Sequence, residues 1–339
     1  MPERLQFIDA AKAIGISLVV LGHSPGLPGK ALILIYSFHM PLFFFLSGFL
    51  QTSTRSAQPP GEGIRKNARF LLVPYLSFFL ISLLYWLATR GIGDRAQKFA
   101  DVDVGDALLG LATGLSSDLF VNPALWFLPC LFVCACFYLL LRRYLPAWAI
   151  LLGAAAAVAI WTRMDAWQTR LPWGLDIVWV AMIFYAAGDA WRDARETVPL
   201  GSSRLTWIAL PVVLVVLWLA AGVLGRVDMA HAYFGSSMWL YAATAFLGIA
   251  AVLMISRFVP ANRPMRWLAE HSLVIFALQA PLLNLASGAL KALHLRAMPG
   301  DESIWSLVFF AWVIVGCVLA TRLLAGSLPW LLGRRISRS

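Results

Sequence analysis

Long apolar runs separated by short polar stretches recur from one end of this chain to the other. An α-helix rising 1.5 Å per residue needs about 17–25 largely apolar residues to cross a bilayer. Ten segments meet that requirement, at roughly 7–23, 31–51, 70–88, 125–141, 146–161, 173–191, 206–224, 234–256, 270–288 and 304–332. The fourth to sixth are the least sharply bounded. Helix breakers fall between the runs, as at Pro25 to Pro28, Pro59-Pro60-Gly61 and Pro260 to Pro264. The pattern predicts an all-α, polytopic transmembrane helix bundle of about ten helices, forming a single domain over residues 1–339. Its longest connection, from about Ala88 to Pro123, carries Asp94, Asp101, Asp103, Asp106 and Asp118, with a short interfacial helix expected near Val104 to Leu115.

Composition leaves no room for a sizeable soluble domain. Hydrophobic residues make up 60% and charged residues 13% of the chain, against about 45–50% and 25% in soluble domains. The formal charge of +10 raises nucleic acid as a partner, but the basic residues sit between apolar runs rather than on one patch, so none is expected. The amino terminus, the even-numbered loops and the carboxyl tail hold 16 Lys and Arg, and the opposite side holds 9. By the positive-inside rule both termini are expected in the cytoplasm, and the even helix count agrees by placing them on the same side. The expected location is the cell (inner, cytoplasmic) membrane. The four cysteines lie inside apolar runs without a CxxC pair, so neither a disulfide framework nor a metal site is expected. The first run contains Asp9 and Lys12 and lacks a small-residue cleavage site, unlike a removable signal peptide.

Those charges are the first sign of chemistry. Lys12 and His23 are eleven residues apart, about 20° around a helix axis and about 16 Å along it, and Asp9 falls about 60° from Lys12. Ala11, Gly15 and Gly22 line an adjacent small-residue edge that admits a close neighbour. Intramembrane charges cost about 2.5–3.5 kcal/mol each on insertion scales, so they face a cavity or a partner. An Asp9–Lys12 pair serving only packing accounts for two of the three residues. It leaves His23, whose imidazole suits general-base work near neutral pH. The second run, FHMPLFFFLSGFL from Phe38 to Leu50, adds His39, a kinking Pro41 and Ser47-Gly48. Proline frees the carbonyl of Ser37, and broken helices of this kind line cavities. His39 reads equally as a helix-packing donor and as a second site histidine.

The segment FIDAAKAIGISLVVLGH, with its basic residue and histidine at Lys12 and His23, resembles the start of the acyltransferase-3 membrane proteins, particularly the branch related to fucose 4-O-acetylase. FHMPLFFFLSGFL resembles the family's next segment, and LWFLPCLF from Leu125 to Phe132 its later Trp-Phe-Leu motif. The resemblance implies ten transmembrane helices with cytoplasmic termini. It further implies transfer of an acyl group, usually acetyl from cytoplasmic acetyl-CoA, to a hydroxyl of a glycan, an exopolysaccharide or its lipid-linked precursor at the outer side. Work beside the machinery of glycan biosynthesis follows from that. Lys12 and His23 match the basic and histidine members of the signature, with Asp9 tuning Lys12. One departure stands near the ninth helix, where related sequences often have a histidine and this chain has Gln279. His271 is not assigned in its place.

Arg65, Lys66, Arg69, Arg142 and Arg143 lie where an anionic, cytoplasmic coenzyme A would first meet the protein. Positive-inside topology and contact with anionic membrane lipids account for them as well, and no Gly-rich phosphate loop backs the donor. Asn122, Trp126 and Phe127 at the outer start of the fourth helix offer a stacking surface for a sugar ring, with interfacial anchoring as the alternative. A transporter relaying ions or protons along Asp9, Lys12 and His23 is the rival reading. It would move substrate in liposomes without acyl-CoA. Against it, the later helices are almost free of buried charge, with Asp176, Asp189 and Arg322 as exceptions.

Overall fold

The computed structural model of the chain describes residues 6–51, 60–197, 203–260, 262–293 and 302–327. Among them the structure is helical, with one isolated β-bridge and no strand. Among the described residues, nine helices or helix pairs are long and apolar enough to cross a membrane: 6–23, 29–49, 60–89, 123–142, 172–194, 206–224, 238–256, 272–291 and 303–323. The chain is a polytopic all-α bundle, as its apolar pattern predicts. The remaining expected run forms the 17-residue helix Ala147–Arg163, whose axis of about 25 Å is shorter than a typical hydrocarbon core. It packs against Val178–Thr197. The end of the last expected run, from residue 328, lies outside the described residues, as do Arg4 and the carboxyl-terminal arginines.

Burial sorts helices that hydropathy alone leaves alike. The segment 172–194 is 72% buried inside the protein and 29–49 and 123–142 are each 67% buried, whereas 206–224 is only 17% buried. The last therefore lies at the rim, presenting Ile208, Val212, Val215, Leu219 and Val223 outward. Helices in lipid gain no water-exclusion energy from meeting one another, so close fit carries the association. The tightest crossing joins His39–Phe49 to Val178–Thr197. A Cβ added at Gly48 would fall on the Tyr185 carbonyl, and one at Gly188 would fall on the Phe45 carbonyl. Two backbones thus touch through reciprocal glycines.

The second run is two helices, α2 (Gly29–Tyr36) and α3 (His39–Phe49), following α1 (Gln6–His23). The break falls at Ser37 and Phe38, where Phe38 takes φ −145° and ψ −13°. Pro41 sits in the first turn of α3, where a missing N–H costs little. The kink therefore lies three residues before the proline.

In the short helix Val104–Thr113, which lies where the sequence predicts one, Asp103 accepts from the Asp106 amide (3.0 Å) and Asp106 accepts from the Asp103 amide (2.9 Å). Asp118 accepts from Thr113 Oγ1 at 2.8 Å. Three acids of the long loop are thus spent on holding the loop itself.

At the α1 amino-terminal side of the bundle, Asp189 is buried and carries a charge network. Its Oδ2 accepts from Tyr138 Oη at 2.5 Å and from Arg142 Nε at 2.9 Å, and it pairs with Arg192. Asp193 takes further contacts from Arg142 (3.4 Å) and Arg192 (2.9 Å). Removing one member of such a buried network leaves its partner's charge uncompensated. Asp189→Ala is expected to lower stability by about 3–5 kcal/mol, seen as a lower thermal midpoint in detergent. A wild-type midpoint would show that the network carries no stability.

Candidate functional site

Helix α1 begins with a charged turn and ends on a histidine. Asp9 and Lys12 are both half-buried, and Asp9 lies in the fields of Lys12, Arg266 and Glu270. The latter two belong to the short helix Arg263–Glu270, which packs beside α1. Sequence reading counted Arg266 only as a loop cation, because nothing local links it to a residue more than 250 positions earlier.

At the other end of α1, His23 is exposed and stands beside the α2–α3 break. The Tyr36 hydroxyl lies 3.3 Å from His23 Nδ1, and the Tyr36 ring sits 5.8 Å from that of His23 and 4.9 Å from that of His39. His39 is buried, and its Nδ1–H donates to the Ile35 carbonyl at 2.9 Å. That bond spans the break with the side chain, and it leaves Nε2 as the bare nitrogen of the ring. His39 is thus both a bridge across the interrupted helix and a wall of the site.

These three residues line a cavity of about 180 Å3. Met40, Ser116, Trp126 and Phe276 form other parts of its wall, and the remaining side is a hairpin through Asp228, Met229, Ala230 and His231. The hairpin is closed by the Asp228 amide donating to the Tyr233 carbonyl (2.8 Å) and the Tyr233 amide donating to the Asp228 carbonyl (2.9 Å). Ala232 turns it at φ +54°. Arg170 pins it from outside, donating from Nη2 to the Ala230 carbonyl at 3.0 Å while its Nε is held by buried Asp176 at 2.7 Å. Asp176, a buried charge of no evident use in the sequence, thus fixes the far wall of the cavity. Asp176→Asn is expected to loosen that wall, with faster hydrogen exchange confined to residues 228–233. Unchanged exchange there would remove Arg170 and Asp176 from this role.

Of the five histidines in the chain, His23, His39 and His231 line this one cavity. His231 Nδ1–H donates to Asp228 Oδ2 at 2.9 Å. Tyr36, Asp228 and His231 were missed in the sequence reading. Tyr36 precedes His39 by three positions, which was a visible signal, whereas the hairpin residues reach the site only through packing.

The other expected site residues are distributed as follows. Trp126 lines the cavity. Phe127 stands behind it, its ring 5.0 Å from Phe44 and 5.5 Å from Phe276. Asn122 is buried and braces two helices, donating to Ser82 Oγ (3.0 Å) and to the Ala277 carbonyl (2.8 Å). Arg65, Lys66, Arg69 and Arg143 are exposed on the side of the bundle where α1 starts, and among the described residues none enters an ion pair. Arg142 is tied to Asp189 and Asp193. His271 donates to the Trp267 carbonyl (2.9 Å) and stacks on that ring, away from the cavity. Gln279 is fully buried with no partner for its amide among the described residues.

A family model described as an acyltransferase domain matches residues 5–322, a span that takes in the charged turn, the histidine cavity and the hairpin. No curated protein and no solved structure matches the chain.

Proposed function

Because the chain belongs to the acyltransferase-3 family of membrane acyltransferases, we propose that it is an O-acetyltransferase. It moves acetyl from cytoplasmic acetyl-CoA to a hydroxyl of a glycan, or of a lipid-linked saccharide, at the outer side of the cell's inner membrane. The observation that carries this reading is the cavity where His23, Tyr36 and His39 meet, at the end of α1 opposite Asp9 and Lys12. With both termini in the cytoplasm, Lys12 faces the donor and His23 faces the acceptor. About 16 Å of helix separates them, so no single reacting atom touches both.

At the donor end Lys12 offsets the charge of the coenzyme, with the exposed Arg65, Lys66, Arg69 and Arg143 guiding its approach. Lys12→Ala is expected to raise KM for acetyl-CoA with a smaller change in kcat; an unchanged KM would remove Lys12 from donor binding. At the acceptor end His23 is the imidazole that meets the acyl group, either as base toward the hydroxyl or as its transient carrier. Tyr36 orients that ring. A hydrogen bond of this kind contributes about 0.5–1.5 kcal/mol, so Tyr36→Phe is expected to slow turnover by roughly 2–10-fold. A fully active Phe variant would show that the 3.3 Å contact is idle.

The reaction class is tested by comparing surface-glycan masses from cells with and without the protein. An added acetyl mass that depends on the protein supports the reading. Unchanged masses together with substrate movement into proteoliposomes lacking acyl-CoA would replace it with a transporter.

A further inference from the structure

Three imidazoles line the cavity, each with a different partner. His23 has a phenol beside it, whereas His231 has a carboxylate, at 2.9 Å from Nδ1. His39 is committed through Nδ1 to the Ile35 carbonyl. When an imidazole takes up a proton, a carboxylate on its other nitrogen stabilises the cation that forms, and it also fixes the tautomer in which Nε2 is free to accept. Neither a phenol nor a backbone carbonyl does this as well. Among the described residues, Asp228 is the one carboxylate of the lining. The hairpin that carries the pair is closed by backbone bonds and pinned by Arg170, so the two side chains are held rather than merely near. His231 also keeps about half of its side-chain surface accessible, as a group that must meet an incoming acceptor requires.

We propose that His231, oriented by Asp228, is the general base that deprotonates the acceptor hydroxyl. This rests on the acyltransferase reading above and assigns the proton step within it. The hydroxyl proton passes to His231 Nε2 as the hydroxyl oxygen forms its bond to the acyl carbonyl carbon. His23, freed from the proton step, is the carrier: its ring nitrogen first bonds the acyl carbon as the thioester C–S bond breaks and the thiolate leaves with the electron pair. The hydroxyl attack then breaks the bond from that carbon to His23, whose nitrogen leaves with the electron pair. The proton held by His231 passes to the thiolate, so the overall products are ester and thiol and both imidazoles are restored. Asp228 acts through His231 and is a positioning residue.

The test uses membranes from cells producing the full chain, with their endogenous glycan as acceptor and labelled acetyl-CoA as the probe. Variants are compared at matched protein level. His231→Ala and His231→Gln are expected to cut the maximal rate of label incorporation into glycan by about 100-fold, within the range for loss of a general base, while KM for acetyl-CoA stays at its wild-type value. Added imidazole is expected to restore part of the rate to His231→Ala but not to Asp228→Asn. Asp228→Asn is expected to lower the rate about tenfold or more with the same unchanged KM, and Asp228→Glu to recover part of it. Wild-type rates in the His231 variants would overturn the proposal. A joint loss of rate and donor affinity that imidazole leaves untouched would do so too, because it marks a structural role. If wild-type membranes themselves transfer no label, the acyltransferase reading falls first and takes this assignment with it.

Discussion

His23→Ala is expected to lower acyl transfer by at least about 10²–10⁴-fold, the range for loss of a positioned acid–base group or nucleophile, while the protein still accumulates in the membrane. The expectation of intact folding rests on position. His23 is the last residue of α1, is exposed, and has the Tyr36 hydroxyl as its hydrogen-bond neighbour. Replacing it opens no core cavity and strands no buried charge. His39→Ala behaves differently, because the Ile35 carbonyl loses the donor that spans the α2–α3 break. That variant is expected to lose stability as well as activity. The pair is read by purifying each in detergent, recording thermal unfolding, and measuring label transfer from acetyl-CoA in membranes. Normal turnover by His23→Ala would remove His23 from the chemistry.

Gly48→Ala is expected to be among the most destabilising single-methyl changes in the chain, by about 2–3 kcal/mol or more. Overpacking of a fitted interior usually costs about 1–3 kcal/mol when side chains can yield. Here the obstacle is the Tyr185 main-chain carbonyl, which no rotamer change removes. Gly188→Ala meets the Phe45 carbonyl in the same way. The two helices must part in either variant, and α3 begins at His39, so the cavity is expected to be disturbed along with the core. Gly153 and Gly222 supply the contrast. Both lie inside helices, and an added Cβ at either meets nothing within 4 Å. Alanine there is expected to be neutral or stabilising by up to about 1 kcal/mol. Thermal unfolding of the four variants decides the matter, and a wild-type midpoint for Gly48→Ala would contradict the close approach.

The helices were legible because lipid imposes one simple demand, a long apolar run, that local sequence displays directly. That Lys12 and His23 share a face of one helix was legible for a similar reason, since eleven residues bring them round to the same side of any helix and α1 runs unbroken from Gln6 to His23. What the sequence hid is non-local. The break before α3 falls at Phe38 rather than at Pro41, because proline suits a first turn as well as it spoils an interior. Arg142 reads in the sequence as a cation awaiting coenzyme A or an anionic lipid, yet the acid that engages it lies 47 residues further on. The hairpin carrying Asp228 and His231 lies about 190 residues beyond Tyr36, and no period along the chain reports that they share a cavity. Loop charge counts likewise say nothing of Arg266 and Glu270 beside Asp9.

The hairpin opposite His23 has its backbone bonds made, its turn set by Ala232 and its tip tethered through Arg170 to Asp176. On the proposed function, an acceptor would meet a surface already organised and would not spend binding energy on freezing it. Ordering a mobile side chain at a binding site costs about 0.5–1.5 kcal/mol, so a loop left free at this point would have weakened acceptor affinity several-fold for each residue it had to immobilise. If the cavity receives the acceptor as proposed, the buried Asp176 carboxylate, held in the structure against Arg170, would raise affinity by removing an entropy otherwise lost on binding.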